Sequence, residues 1–468
     1  MSNTSTVAEE LASFACSLRF DQIPTAVRSQ AALQLLDTVG VARAAARLGA
    51  APAVTHIASA AARCDPGGQV IGQDGTIDLP VALLVNGTLA HALDFDNTHT
   101  GSMVHVGAAV GPMSWTLGSS IGAPGQEVVR AYVAGVECAA RLGAAAPGAF
   151  HRSGFHATSV VGIFGAVIAA SVLVDAAPDQ VVHALGIAGS LAAGLLEYHT
   201  AGTSNKQLHP GLAARDAYVA VQLGLAGAEG PASVFEGPFG VFATHLRTLP
   251  ASFGTESLGH VWETAQVTTK PYPACNLVHF ALDCMDELRD RIEVGRISRV
   301  EIRGAPEIVP LVIEPAAAKI QPRSAYEAKF SMQHCVARFA IDGELRVDSF
   351  TAAAVAEHPV EALARRVEFV PDEDTGYPRR LGGSVTVVLD DGTELHAAAG
   401  DPRGTPGRPL DPEQIVDKFV ANAAPDERVA AAALADRLLC LADAQDVAPL
   451  YRACSLPELR DVHVRRAG

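Results

Sequence analysis

Residues 91–105 (His-Ala-Leu-Asp-Phe-Asp-Asn-Thr-His-Thr-Gly-Ser-Met-Val-His) place three His, two Asp and two Thr between two long apolar segments rich in Ala and Gly. Buried polypeptide gathers that many titratable groups where they have a task, so the fold must bring both apolar segments inside and hold the polar run between them. The apolar residues narrow the choice further. They make up 49% of the 468 residues while aromatics make up 5%. The interior is therefore built of Ala, Val and Leu, which suits closely packed helices better than a β-sandwich.

A net charge of −16 argues against nucleic acid and against anionic membrane surfaces as partners. Met1 to Ser17 carries Glu9 and Glu10 and no basic run, so it does not read as a signal peptide. Thr158 to Val174 approaches the length of a membrane span. Its Ala, Gly and Ser content and its lack of interfacial Trp or Lys predict a buried helix instead. Eight Cys without a C-x-x-C pair fit a cytoplasmic thiol state and speak against a structural zinc or a cysteine-ligated iron–sulfur cluster. The low charged fraction, 18%, predicts a subunit interface covering further apolar surface.

Periodicity predicts helices over 7–19, 24–46, 55–61, 79–94, 103–121, 126–145, 155–174, 178–196 and 215–226, with a small strand and turn at 69–75. No strand series is expected before about residue 260. The pattern then changes: strands at 265–270, 298–303 and 367–370, and a hairpin 384–389/393–398 around Asp390-Asp391-Gly392, alternate with helices at 276–291, 326–341 and 349–366. Helices at 412–421, 426–442 and 457–462 follow a Pro/Gly-rich segment, 401–409. The expected fold is mainly α: a large all-helical domain, 1–263, completed by a C-terminal return, 409–468, with a smaller α+β domain, 264–408, inserted between them.

Several segments carry candidate chemistry. His91, Asp94 and Thr98 fall at i, i+3 and i+7, one helical face, and a break at Thr100-Gly101-Ser102 lets His105 enter from the next helix. A carboxylate beside an imidazole orients it and raises its proton affinity, as acid–base catalysis requires; the simpler reading makes Asp96 and Thr98 helix caps. His156 stands at the start of a helix, where the dipole favours a neutral ring or an anion contact. Lys206 and His209 lie three apart in apolar surroundings, where a Lys needs a carboxylate, either of a substrate or of an Asp. Lys270 and Arg323 bring further cations, Arg323 with the fork that grips a carboxylate; Lys329 and Arg338 read as solvated charges. Together these residues describe a pocket for a small anionic substrate.

The ordered set HALDFDNTH (91–99), GFHATS (154–159), GTSNKQLHPG (202–211), FEGPFG (235–240), KPYPAC (270–275) and EAKFSMQH (327–334) resembles the MmgE/PrpD family over nearly the whole chain. The resemblance implies a discontinuous helical domain with an α/β lid, a homodimer, an active site between the domains and no metal or organic cofactor. It places the pocket on Asp94, Thr98, His105, His156 and Lys206, and leaves His91 and His99 with structural roles. Two positions depart from the pattern: Cys275 stands where the decarboxylase branch carries a His, and His334 where a Tyr is usual. Val104-His105-Val106-Gly107 also replaces the more usual Gly-His-Pro-Ser.

The family's known reactions all act on carbon beside carboxylates. The first expectation is a lyase that dehydrates or hydrates a small di- or tricarboxylate of the citrate or 2-methylcitrate type. Catalysis would fall to His105 or His156, with Asp94 orienting one of them and His334 supplying a proton. Lys206 would stabilise developing charge, and Thr98, His209, Lys270, Cys275 and Arg323 would hold substrate. The alternatives are an epimerase of a dicarboxylate such as iminodisuccinate, a cis-aconitate-type decarboxylase, and a helical scaffold that binds a carboxylate without turning it over.

Overall fold

The structure is a computed structural model that describes residues 5–377 and 380–455. The expected helix at 457–462 lies outside the described residues. The chain divides into two compact units: Met1–Ala92, Asp96–Thr269 and Asp411–Gly468 form the first, and Leu93–Phe95 with Lys270–Leu410 the second.

The first unit is built on the helix Ala157–Leu173, buried along nearly its whole length. Its residues are almost all Ala, Val, Ile, Gly and Ser, small enough for neighbours to approach on every side. The helices Gly125–Ala144 and His209–Leu225 pack on it, and Leu79–His91 packs on His209–Leu225. That last contact is backbone on backbone. A Cβ on Gly87 would lie 2.6 Å from the Gly211 Cα, so only Gly lets the end of one helix, at His91, draw close to the start of the other, at His209. The buried Thr158–Val174 segment is thus an interior helix, and no described helix is long and apolar enough to cross a membrane.

The first unit is not free of strands. β1 (Arg63–Gln69) pairs antiparallel with β2 (Thr76–Ile77), and β3 (Thr98–His99) pairs with β4 (Val267–Thr268). β4 is all that remains of the strand expected at 265–270, because Pro271 and Pro273 follow and lack the N–H a ladder needs. The helix expected over 79–94 stops at His91, and the one expected from 103 starts at Val106.

The second unit carries a four-stranded sheet in the order β6 (Val367–Pro371), β5 (Ile297–Gly304), β7 (Gly383–Leu389), β8 (Glu394–Ala399). β5 and β6 run parallel; β7 is antiparallel to both β5 and β8. Alternation puts Val300 and Ile302 of β5, and Val385 and Val387 of β7, on the buried face, where the helices His279–Leu288 and Met332–Asp342 cover them. The single helix expected at 326–341 is broken: Ser331 turns out of the first turn, and its Oγ accepts the His334 N–H at 3.0 Å as the cap of a new helix.

Candidate functional site

The helix Leu79–His91 ends inside the first unit, and the polar run beyond it is held by a buried frame. The Asn97 side chain accepts the Gly107 N–H (3.0 Å) and donates to Gln34 O (3.2 Å) and Thr38 Oγ1 (3.0 Å). His99 closes a short loop with Val104 through backbone hydrogen bonds. Its ring is spent on Ser102 and on Glu263 (2.9 Å), a structural role. His105 then starts the next helix, its backbone N–H on Thr158 Oγ1 at 3.1 Å.

Asp96 sits at the centre of what this frame holds. Its carboxylate is fully buried, with the Nδ1 of His91 2.9 Å from Oδ2 and the Nδ1 of His105 3.1 Å from the same oxygen. Burial drives the Asp96 carboxyl up, but the charges and hydrogen bonds of the two imidazoles override it and hold it well below the usual carboxylate range. Thr98 Oγ1 lies 3.2 Å from the His105 Nδ1.

Three more His and a Lys join this cluster from elsewhere in the same unit. His156 precedes the helix Ala157–Leu173, and its ring stacks on His91 with centroids 5.7 Å apart. Its Nδ1 is 3.0 Å from the Nδ1 of His209. Gly194 makes this possible: its carbonyl accepts the His156 N–H at 2.9 Å, it holds φ +132°, and a Cβ there would meet the Ser159 Cβ at 2.7 Å. Burial, then the positive charge of Lys206, pushes His156 well below the ordinary imidazole value. Burial with the charges of His91 and Lys206 takes His209 down to about 4, and burial with Lys206 and Arg152 takes His151 to about 4. Near neutral pH these three rings are uncharged and able to accept protons, beside a buried ammonium.

Of the residues singled out in the sequence, Thr98, His105, His156, Lys206 and His209 therefore come together in the first unit. Asp94 belongs to the second. The helical-face argument that joins it to His91 and Thr98 fails because the helix has already ended and Asp94 turns the chain at φ +51°. The carboxylate on the His105 Nδ1 is that of Asp96, a cap on the simpler sequence reading. Asp94 instead accepts from the buried Lys270 Nζ, at 3.2 Å on Oδ2 and 2.7 Å on its backbone oxygen.

Cys275, Arg323 and His334 also belong to the second unit. Cys275 is half-buried, its N–H on Lys329 O at 3.0 Å. Burial, with the charge of Arg338, brings His334 down to about 4. Arg323 lies at the surface with its guanidinium on Glu327 (2.5 Å), so the carboxylate it grips is the chain's own. Lys329 and Arg338 are buried and not solvated charges. Lys329 Nζ donates to Pro273 O (2.9 Å) over the Phe350 ring, and burial brings it down to about 7; Arg338 is shared between Asp342 and Glu357.

The residues that sequence reasoning misses are Asp96 and His91, to which it gives capping and structural roles. The signal is present as two carboxylates within the run His91-x-x-Asp94-x-Asp96, but spacing alone does not say which one turns inward. His91, Asp96 and His105 bring ligand-type atoms within 4.8 Å of one another, yet those atoms are spent on mutual hydrogen bonds, which a metal ion would have to displace.

Three imidazoles held low in proton affinity, His151, His156 and His209, thus lie beside a buried Lys206 and meet, through the ring of His91, the ionised Asp96, a gathering of groups of the kind acid–base chemistry uses. The chain belongs to the MmgE/PrpD family: the MmgE/PrpD N-terminal domain matches residues 9–253 and the MmgE/PrpD C-terminal domain residues 272–439. Among its relatives, the cis-aconitate decarboxylase of Aspergillus terreus is 25% identical over 96% of each chain. The human cis-aconitate decarboxylase is 29% identical over 89% of this chain and 88% of its own. A cis-aconitate decarboxylase-like protein of Aspergillus oryzae is 24% identical over 88% of this chain and 89% of its own.

Proposed function

We propose that this protein is a cofactor-independent lyase that releases CO₂ from a small polycarboxylate of the cis-aconitate type. The observation that carries this reading is the pair of buried, neutral imidazoles, His156 and His209, beside Lys206, in a chain similar along its length to cis-aconitate decarboxylases. When the bond to a carboxylate breaks, CO₂ leaves and the electron pair stays on carbon, spread through the double bond onto a remaining carboxylate. Lys206 offsets that charge. The carbon then takes one proton. Rings that are neutral in the free protein gain proton affinity when a polyanion enters, so His156 or His209 loads a proton with the substrate and delivers it to carbon. The balance is one carboxylate and one proton in, one C–H bond and one CO₂ out.

A second reading, dehydration of a citrate-type hydroxy acid, is favoured by Cys275 in place of the His expected in the decarboxylase branch. There a neutral imidazole takes the proton beside a carboxylate and an acid protonates the departing hydroxide, with no net proton uptake. NMR of cis-aconitate and citrate-type acids in D₂O, run beside a pH-stat, separates the two. The first reading expects CO₂, one deuterium on carbon and, at mildly acidic pH with the CO₂ swept out before it hydrates, one proton consumed per turnover. Water loss without proton uptake would replace it with the second, and no turnover of either substrate class would overturn both. The homodimer and a cytoplasmic location belong to the same proposal; sedimentation checks the dimer.

A further inference from the structure

We propose that Asp96 is the positioning residue of this site: its one carboxylate fixes both His91 and His105 with a proton on Nδ1, so that Nε2 is the nitrogen His105 brings to the chemistry. The role in turnover rests on the acid–base reading above; the tautomer assignment does not.

An ionised carboxylate only accepts hydrogen bonds. A ring nitrogen 2.9 or 3.1 Å from it must therefore carry a hydrogen, whether the ring is neutral or charged. Both rings face Asp96 with Nδ1, and both sit on the same oxygen, Oδ2, while His91 also reaches Oδ1 at 3.1 Å. Two N–H groups on one buried carboxylate keep it ionised and keep it from swinging, which a single donor would not do. Thr98 Oγ1, 3.2 Å from the His105 Nδ1, is placed to accept from the same N–H, and the His105 backbone is pinned to Thr158.

His91 is best understood as part of this support. Its ring meets His105 edge-on (centroids 4.6 Å apart, planes at 74°) and stacks on His156 at 5.7 Å, so it packs against both. Its Nε2 is buried and has no hydrogen-bond partner among the described residues. A polar atom left unpaired in the interior is destabilising, a cost that a residue kept only for packing would not need to bear. The buried Nδ1–H on Asp96 gives it a reason to be His.

Asparagine is the informative substitution. In Asp96→Asn the new amide can turn its NH₂ toward the His105 Nδ1, which favours the opposite tautomer while keeping the size of the group. Selective ¹⁵N-histidine labelling of the full-length protein, with long-range ¹⁵N–¹H correlations assigned through His91→Gln and His105→Gln, reads each ring directly. Wild type is expected to carry the proton on Nδ1 of both rings, and Asp96→Asn to move His105 toward the Nε2–H form. With whichever polycarboxylate the wild type turns over, Asp96→Asn should lower kcat by ~10²–10⁴-fold with KM within about threefold, and the acid limb of the pH profile should shift. Asp96→Glu should restore part of kcat and the Nδ1–H form. A neutral Nε2–H form of His91 or His105 in wild type overturns the proposal even if Asp96→Asn does not fold, and so does a folded Asp96→Asn protein with unchanged kcat. The wild-type spectrum needs no turnover, so failure of the lyase reading and failure of this assignment give different results.

Discussion

The Nδ1 atoms of His156 and His209 lie 3.0 Å apart, so one ring donates through that nitrogen while the other accepts. Two imidazolium rings cannot share such a bond. Adding a second proton breaks the contact as well as burying a second charge, so this pair sets much of how the first unit responds to acid.

Stability should fall on mild acidification. His209 and His151 titrate near 4 in the folded chain, against about 6.5 when exposed in the unfolded one. Between those values the unfolded chain binds more protons, so the stabilisation is fully present above pH 6.5 and is lost as pH drops toward 4. Chemical denaturation at pH 7 and pH 4.5 should differ by about 2 kcal/mol or more, and replacing His209 with Gln should shrink the difference.

Lys206→Met should raise the proton affinity of the rings it now opposes. Lys206 is the second-largest cause of the depression at both His151 and His156, after burial. A ¹H–¹⁵N titration should show His151 protonating at higher pH in the variant than in wild type. On the proposed reaction the same change removes the charge that offsets the carbanion, so kcat/KM should fall by ~100-fold or more. Unchanged titration of His151 would contradict the placement of Lys206.

Breaking the Asp94–Lys270 pair should be costly from the acidic side. Both side chains are almost fully buried, and removing the carboxylate leaves the ammonium to the Asp94 backbone oxygen, without the charge that balances it. Asp94→Ala should destabilise by ~3–5 kcal/mol in urea denaturation, and adding Lys270→Met should recover much of that loss. Additive single effects would show that the pair is not coupled.

Gly194→Ala should damage the site through the backbone. The substitution forces a Cβ against Ser159 at a φ of +132°, a region L-residues rarely adopt, and it moves the carbonyl that holds the His156 N–H. A loss of ~2 kcal/mol or more, with lower activity at every pH, is the expected result of thermal and kinetic measurements.

Much of the fold was legible because it rests on local periodicity. The helices 25–47, 125–144 and 157–173 and the strands 297–304, 383–389 and 394–399 lie within two residues or so of where the apolar spacing puts them. The failures fall where tertiary contacts outweigh local pattern. The run after Leu79 keeps a helical spacing through Asp94, yet the chain leaves the helix at His91 because the buried frame of Asn97, Gln34 and Thr38 takes the next segment. Lys329 and Arg338 sit at ordinary helical positions, and only the neighbours supplied by Pro273, Phe350 and Glu357 explain why they are buried.

The sequence by itself determined the helical first unit, the mixed second unit and a short set of chemically active residues, because those depend on composition, periodicity and residue type. The tertiary structure alone decided which of them meet. His91, Asp96 and His105 come from one run, but His156 and His209 are 53 residues apart and joined by a hydrogen bond between their rings. Asp94 and Asp96, two positions apart, take different partners, Lys270 and the His91–His105 pair. Spacing fixes which residues are neighbours along the chain, but only packing decides which way a carboxylate faces once the helix has ended.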